Sequence, residues 1–468
     1  MKKALLVKPK DSYSYAVIPN LGLGYLAASL RKHGFEACIL DCNKKSFDPQ
    51  EFVTYLKANN FHLIGFQVYT NSLLSAKLMM ETAEKALPEA IILIGGPHPS
   101  GDPGHALRFF SEADCAVVGE GEEAVVALMS FSKSELRDVS LVSRISNVAF
   151  RDSSEGVDVN EVRFCSDLDQ IPDPAWDLID PRAYPISPHG TFSKSYPVAP
   201  LITSRGCPYL CTFCAGFKST GRKLRRRSVK SVLNEINYLY TGFGVREFHI
   251  EDDNFTLQKE YVMEFCEGLR SKGLNIWWAC PNGIRADKLD KEMLVKMEES
   301  GCYSFALGIE SGSDRVLKMM KKNVTVEEIE RQVSLIKDTT KINITGFFLI
   351  GYPGESEEDI RQTIKFSQRL RIDKASFSPV MPLPGSELYD IWKKKINTDS
   401  PDWGKFLYYQ IVPQVSEIDD TKLNRYLKKA VLQFYLRPNI IMGILKEIKT
   451  AHQLKVLLKR ARTVLFGS

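Results

Sequence analysis

Over the first 130 residues, apolar positions fall in short continuous runs. ALLVK (4–8), FEACIL (35–40), LIGFQVY (63–69), AIILIGG (90–96) and DCAVVG (114–119) each read as a strand covered on both faces. Helical spacing fills the gaps at Gly22 to Lys32, 49–59, Ser72 to Ala86, 104–110 and from 121 onward. Five such strands separated by helices predict a doubly wound parallel sheet. The pattern breaks at 131–195, where DSSEG and DLDQIPDPAWDLIDPRAYP read as a linker packing on both neighbours, with Trp176 and Tyr184 as anchors. From 199 to 380 strand and helix alternate again with a longer repeat. The strands are LITSR (201–205), REFHIED (246–252), NIWWACPN (275–282), YSFALGIE (303–310), NITGFFLIG (343–351) and KASFSPV (374–380). Helices are expected at about 228–240, 258–271, 290–299, 313–320, 326–338 and 356–370. Six such units predict a partial TIM-type barrel with its chemistry at the C-terminal strand ends. The expected fold is therefore α/β. A doubly wound domain spans 1–132, a linker 133–196, a (β/α)6 partial barrel 197–384 and a mainly helical region 385–468.

With 468 residues, 44% of them hydrophobic and 25% charged, the chain has the balance of a folded protein with at least two cores. No apolar run approaches the roughly 18 residues of a membrane span, and the apolar stretch after Met1-Lys2-Lys3 is too short for a signal peptide. A cytoplasmic location is expected. The net charge of +5 is uneven: Arg437 to Ser468 hold seven basic residues and one acidic, so the body is near neutral and no nucleic-acid partner is indicated. Leu454, Leu457, Leu458, Ala461 and Leu465 would share one helical face, with Lys455, Lys459 and Arg462 on another. Such a tail suits either peripheral contact with an anionic membrane at its inner face or packing on the barrel.

Ten cysteines in a reducing compartment should be core thiols, metal ligands or nucleophiles. Seven are scattered. Cys207, Cys211 and Cys214 fall within SRGCPYLCTFCAG in C-x3-C-x2-C spacing. Positions i, i+4 and i+7 share a helix face, so a core helix is one reading and a three-Cys zinc site another. Arg205-Gly206 and Pro208 mark a loop after the first barrel strand instead, and three thiolates there suit a four-iron cube with one iron left open.

At this loop the chain resembles the radical S-adenosylmethionine superfamily. EDDNFT (251–256), NGIRAD (282–287), GIESGSD (308–314), IGYPGES (350–356) and SPVMPLPGSELY (378–389) resemble the motifs at the ends of strands two to six. The resemblance implies a [4Fe-4S] cluster on the three cysteines and S-adenosylmethionine chelated to the open iron. It places Phe213 beside adenine, and Glu310, Ser311 and Arg285 near the methionyl and ribose groups. Glu310 has a plainer alternative, an ion pair with Arg285 or a neighbouring lysine. A flavodoxin or ferredoxin would supply electrons.

The edges of the N-terminal sheet, KPKDSYS (8–14), QVYTNS (67–72), IGGPHPSG (94–101) and VGEGE (118–122), lack a GxGxxG after the first strand. They resemble the cobalamin-binding domain that precedes many radical S-adenosylmethionine domains. That comparison puts Thr70, Asn71 and Ser72 on the nucleotide tail or corrin amides. Gly95, Gly96 and Pro97 would lie along the tail, with Gly119, Glu120 and Gly121 on the opposite wall. The D-x-H-x-x-G motif is absent, and His98 and His105 lie on the wrong loop for it, so cobalamin is expected base-off with no protein histidine and Tyr69 near its lower face. The alternative is a receiver-like domain that binds nothing.

The combined resemblance implies a methylase of the class B type, acting on an unactivated carbon through methylcobalamin and a 5′-deoxyadenosyl radical. The same cofactors support a cyclisation such as a tetrapyrrole cyclase, and the substrate would be a small molecule, lipid-like or a tetrapyrrole. A transfer-RNA methylthiotransferase would need a second cysteine triad upstream, which Cys38, Cys42 and Cys115 do not form. A cobalamin carrier or sensor with a structural cluster is the alternative from outside enzymes. Trp392, Trp403, Phe406, Tyr408 and Tyr409 would either cap the barrel, line a pocket or simply pack.

Overall fold

The computed structural model describes the chain apart from residues 1, 12–16, 46, 153, 155, 187–192, 397–400, 408, 449–452 and 456–468. Strands β1 (Lys3–Lys8), β2 (Glu36–Asp41), β3 (Leu63–Gln67), β4 (Ile91–Gly95) and β5 (Cys115–Val117) form a parallel sheet in the order β2-β1-β3-β4-β5. The runs of β1, β3, β4 and β5 are buried almost throughout, as two covered faces require, while β2 at the edge is partly exposed. The order reverses between β1 and β3, which opens a crevice beyond their C-terminal ends. At that edge Asn20 caps the helix Leu21–Lys32 by accepting from the Leu23 N–H at 3.0 Å, and its amide donates to Gln67 at the end of β3.

The segment expected as a linker does more than connect. Its β6 (Val148–Arg151) and β7 (Val157–Val159) extend the sheet antiparallel beyond β5. Val148, Ala149 and Phe150 are buried, and the Arg151 guanidinium donates to the carbonyls of Ala113, Leu107 and Phe110. An apolar run of three inside Ser- and Asp-rich sequence carries too little periodicity to stand out. Further on, Trp176 donates its indole N–H to Glu235 at 2.9 Å, and the Tyr184 hydroxyl reaches Asp41 at 3.2 Å. One residue therefore holds the barrel and the other the N-terminal sheet.

The second sheet is parallel throughout, in the order β15-β14-β13-β12-β11-β8. It comprises β8 (Val198–Leu201), β11 (Glu247–Ile250), β12 (Trp277–Ile284), β13 (Cys302–Glu310), β14 (Asn343–Ile350) and β15 (Lys374–Pro379). The first strand ends earlier than 205. Buried Asp252 accepts from the Thr203 N–H, the Thr203 hydroxyl and the Ser204 hydroxyl at 2.6–2.7 Å, which turns the chain out of the sheet. Ser204–Arg205 (β9) then pairs antiparallel with Arg225–Arg226 (β10). At the other edge, Tyr435 of the helix Asp420–Tyr435 donates to the Ala375 carbonyl at 2.7 Å and accepts from its N–H at 3.2 Å. The exposed side of β15 is thereby covered.

The two sheets press together. A Cβ on Gly101 would lie 2.0 Å from the Pro384 carbonyl oxygen, so only glycine fits where the Pro-Gly turn after β15 meets the N-terminal domain. Trp392, Trp403 and Phe406 are buried and share a core with that domain, so packing is their role. Tyr408 and the tail face from Leu457 onward lie outside the described residues. Among the described residues no helix is long and apolar enough to cross a membrane.

Candidate functional site

The three cysteines sit on the loop that follows β9, at the C-terminal end of the barrel. Cys207 and Cys211 are half-buried and Cys214 is exposed; none forms a disulfide. The loop is stitched down on several sides. The Cys207 N–H donates to Gly221 and the Thr212 N–H to Met320, while the Thr212 carbonyl accepts from Leu388. The hydroxyls of Thr212 and Tyr352, the latter in the turn after β14, lie 2.7 Å apart. The Arg285 guanidinium lies 3.9 Å over the Tyr209 ring, bonds Asp287 at 2.8 Å and donates to the Lys322 carbonyl at 2.9 Å. It thus supports the loop from below, with its donors already engaged.

Burial, with Asp253 and the Cys211 sulfur beside it, pushes the Cys207 thiol above the ordinary range. Burial, Asp253 and the other two sulfurs hold Cys214 up at about 11. Three thiols this close together on one loop form a donor set that suits a cationic iron–sulfur cluster. Among the described residues no three His, Cys, Asp or Glu side chains gather as ligands of a single ion.

Around the loop, Phe213 packs as a half-buried ring, with the Lys322 ammonium 6.0 Å from its centre. Glu310 ends β13 in the left-handed region at φ 65°, where the register with β14 shifts. A non-glycine residue is uncommon there and costs on the order of 1 kcal/mol. Its carboxylate pairs with Lys322 at 2.7 Å, a neighbouring lysine and not Arg285. Gly308 makes room for this pair, because a Cβ there would lie 2.6 Å from the Glu310 carboxylate and 2.8 Å from the Lys322 nitrogen. The Ser311 hydroxyl is fully buried and engaged with Thr363 at 3.1 Å and the Ser313 N–H at 3.2 Å. Beyond β11, buried Asn254 has neither side-chain polar atom hydrogen-bonded, and the buried Thr256 hydroxyl has no partner either. Unpaired buried polar atoms are costly, so these suit a polar ligand at the barrel mouth.

At the edge of the N-terminal sheet, Thr70, Asn71 and Ser72 form one tight turn after β3. The Ser72 hydroxyl bonds its own turn at Tyr69, and the Thr70 hydroxyl bonds His98 at 3.1 Å. The Asn71 side-chain amide oxygen is buried without a hydrogen-bond partner. The Lys8 ammonium lies 4.2 Å over the Tyr69 ring. Gly95 ends β4. Gly96 follows at φ 100°, where a side chain would be strained and its Cβ would come 3.1 Å from the Val68 carbonyl, and Pro97 then opens a short helix. Gly119 and Gly121 follow β5. Glu120, expected on the wall of the cobalamin site, ion-pairs with Arg205 at 3.2 Å and Arg225 at 2.8 Å. Glu122 pairs with Arg205 at 2.6 Å; burial would raise its carboxyl, but Arg205 holds it below the ordinary range. The structure thus brings the N-terminal edge to within one ion pair of the cysteine loop.

Residues 12–129 match the model of the B12 binding domain and residues 201–367 that of the Radical SAM superfamily. The cytidylyl-2-hydroxyethylphosphonate methyltransferase of Streptomyces wedmorensis is 30% identical over 450 residues, covering 83% of this chain and 81% of its own. This chain belongs to the cobalamin-binding radical S-adenosylmethionine enzymes. Its cofactors are cobalamin, S-adenosylmethionine and a [4Fe-4S] cluster. Another relative, the anaerobic magnesium-protoporphyrin IX monomethyl ester cyclase of Cereibacter sphaeroides, is 25% identical over 92% of this chain and 71% of its own. The fold is shared with the methyltransferase TsrM of Kitasatospora setae, solved with cobalamin and a [4Fe-4S] cluster, at TM-score 0.70, 18% identity and coverage of 94% and 90%. In this enzyme the loop thiols suit the cluster, and the unpaired Asn254, Thr256 and Asn71 suit polar ligands. Sequence reasoning gave no role to Lys322, Gly308, Asn254, Glu122 or Arg225 and read Arg205 only as the mark of a loop. Asn254, Gly308 and Glu122 lay inside the quoted motifs, whereas Lys322 and Arg225 look like ordinary surface charges.

Proposed function

We propose that this enzyme methylates an unactivated carbon of a small molecule, with S-adenosylmethionine as the methyl source and cobalamin as the carrier. The observation that carries the reading is the juxtaposition of two ligand edges. Arg205, two residues before the first cluster cysteine, is ion-paired with Glu120 and hydrogen-bonded to Glu122 on the cobalamin edge. When bound, the three cofactors supply methyl transfer and one-electron cleavage of S-adenosylmethionine.

The protein's own residues hold and shield. Cys207, Cys211 and Cys214 are assigned to the cluster, and Phe213 to the adenine side. Glu310, fixed by Lys322, and Asn254 are assigned to the polar end of S-adenosylmethionine. Asn71, with Gly95, Gly96, Pro97, Gly119 and Gly121, is assigned to cobalamin, and Thr70 supports this edge through its bond to His98. Ser72, Ser311 and Arg285 are supporting residues, since their polar atoms already bond protein. A small-molecule substrate is in keeping with relatives named for a cytidylyl phosphonate and a magnesium porphyrin ester.

Incubation with S-adenosylmethionine deuterated on its methyl group tests the reading. Label is expected in the product; a product formed without label would move the assignment to a cyclase. We further assign cobalamin as base-off with no histidine on cobalt, because the nearby His98 bonds Thr70 and His105 instead. Electron paramagnetic resonance of the cob(II)alamin form is expected to show no nitrogen superhyperfine splitting. Such splitting, from histidine or dimethylbenzimidazole, would overturn it.

A further inference from the structure

We infer that a buried ion cluster, Glu120 and Glu122 against Arg205 and Arg225, sets the position of the [4Fe-4S] loop relative to the cobalamin edge. These four are positioning residues. The side chains of Glu120, Arg205 and Arg225 are 8%, 9% and 5% exposed, and Glu122 is 13% exposed. Two carboxylates face two guanidiniums, so the cluster is neutral as a whole. Glu120 is shared between both arginines, at 3.2 Å to Arg205 and 2.8 Å to Arg225, while Arg205 reaches on to Glu122 at 2.6 Å. The chain between the two sides contributes as well. The Cys165 N–H donates to Glu120 at 2.7 Å and its carbonyl accepts from Arg225 at 2.6 Å. Arg205 also lies 5.1 Å from the ring of Tyr25, in the first helix of the N-terminal domain.

Covalent connection cannot fix this spacing, because 83 residues separate Glu122 from Arg205. Buried ion pairs of this kind contribute more to a defined arrangement than to net stability, since desolvation offsets most of their attraction. Both guanidiniums belong to the ribbon β9–β10 that carries the cysteine loop; Glu120 lies in the turn after β5 and Glu122 opens the helix Glu122–Leu128 that follows. Removing one carboxylate leaves an uncompensated buried charge two residues from Cys207. The ribbon would then shift or admit water. In a reaction that brings two separately bound cofactors to one substrate, a displacement of about 1 Å costs on the order of a hundredfold in rate.

The assignment of the clamp rests on the two cofactor sites, and only its turnover consequence rests on the methyl-transfer reading. Glu120→Gln and Glu122→Gln variants of the full chain, loaded with cluster and cobalamin, test it. After reduction, the dipolar coupling between the paramagnetic cluster and cob(II)alamin is measured by pulsed electron paramagnetic resonance. In the variants a broadened or displaced distance distribution is expected, with iron and cobalt contents equal to wild type. In turnover the ratio of 5′-deoxyadenosine to product is expected to rise. Coupling and ratio both unchanged in the two variants would overturn the inference. Should Glu120→Gln fail to retain cofactors, Glu122→Gln decides alone, because it leaves Glu120 with both its arginines. If wild type gives no labelled product, the methyl-transfer reading fails while the dipolar measurement still judges the clamp.

Discussion

Replacing Cys207, Cys211 and Cys214 together by alanine is expected to remove about four irons per chain and abolish formation of 5′-deoxyadenosine. The loop contains the three clustered thiols, and of the remaining seven only Cys165 lies near the ribbon, its sulfur engaged with the Asp167 carbonyl. Cys280 in β12, Cys302 at the start of β13 and Cys266 on the helix Lys259–Ser271 are buried among core side chains. Their thiols are pushed up by burial, which makes them poor substitutes. The fold should survive the substitution. The loop is held by backbone bonds from Cys207 to Gly221 and from Thr212 to Met320, and by the Thr212–Tyr352 contact, none of which needs a sulfur. Half-buried and exposed positions of this kind cost roughly 0.5 kcal/mol or less each when truncated. Iron analysis, the visible absorbance of the cluster and far-ultraviolet circular dichroism check the three parts. Iron retained at wild-type level would sink the assignment of the ligands.

How much of this was legible beforehand depends on how local the cause is. The cysteine loop, GIESGSD and IGYPGES announce themselves because a turn, a glycine and a ligand lie within a few residues of each other. The six barrel strands are legible as short runs between turn residues, some nearly continuous in apolar residues and others, such as KASFSPV, alternating. The failures all involve partners distant in sequence. β6 joins the sheet through β5, about thirty residues earlier, and its three buried side chains resemble any loop. The first barrel strand ends early because Asp252, 49 residues away, captures Thr203. Glu310 was legible as a strand-end carboxylate, but its left-handed backbone and its pairing with Lys322 are tertiary facts. Likewise Glu120 reads in sequence only as a wall residue and Arg205 only as a loop marker, and nothing local joins them to Glu122 and Arg225, which the fold brings together.

Acidification from pH 7 to pH 5 is expected to weaken the N-terminal domain by about 4 kcal/mol through His98 and His105, at about 2 kcal/mol each. His98 is 1% exposed and bonds Thr70 through Nδ1 and His105 through Nε2 at 3.0 Å. The ring of Trp403 covers both, with centroids 5.3 and 4.5 Å away. Burial, with His105 beside it, lowers His98 to about 3; Asp102 opposes this. Burial also lowers His105 to about 4, aided by Arg108 and Lys393 and opposed by Asp102. The native pair therefore stays neutral at pH 5, while in the unfolded chain both rings take up protons below about 6.5. The unfolded state binds more protons in this window, so stability is full above about pH 6.5 and falls as the pH drops toward 4. Other groups pull the opposite way: burial raises Glu355 to about 7, so its protonation favours the native state as acid is added. The comparison is accordingly made against the double variant His98→Gln and His105→Gln, in which Glu355 is unchanged. Hydrogen exchange of the β3 and β4 amides at pH 7 and pH 5 reports the opening free energy of this domain. The loss between the two pH values should be about 4 kcal/mol smaller in the variant than in wild type. Equal losses in the two proteins would show that the histidines are already protonated in the native state, and that Trp403 does not seal them from water.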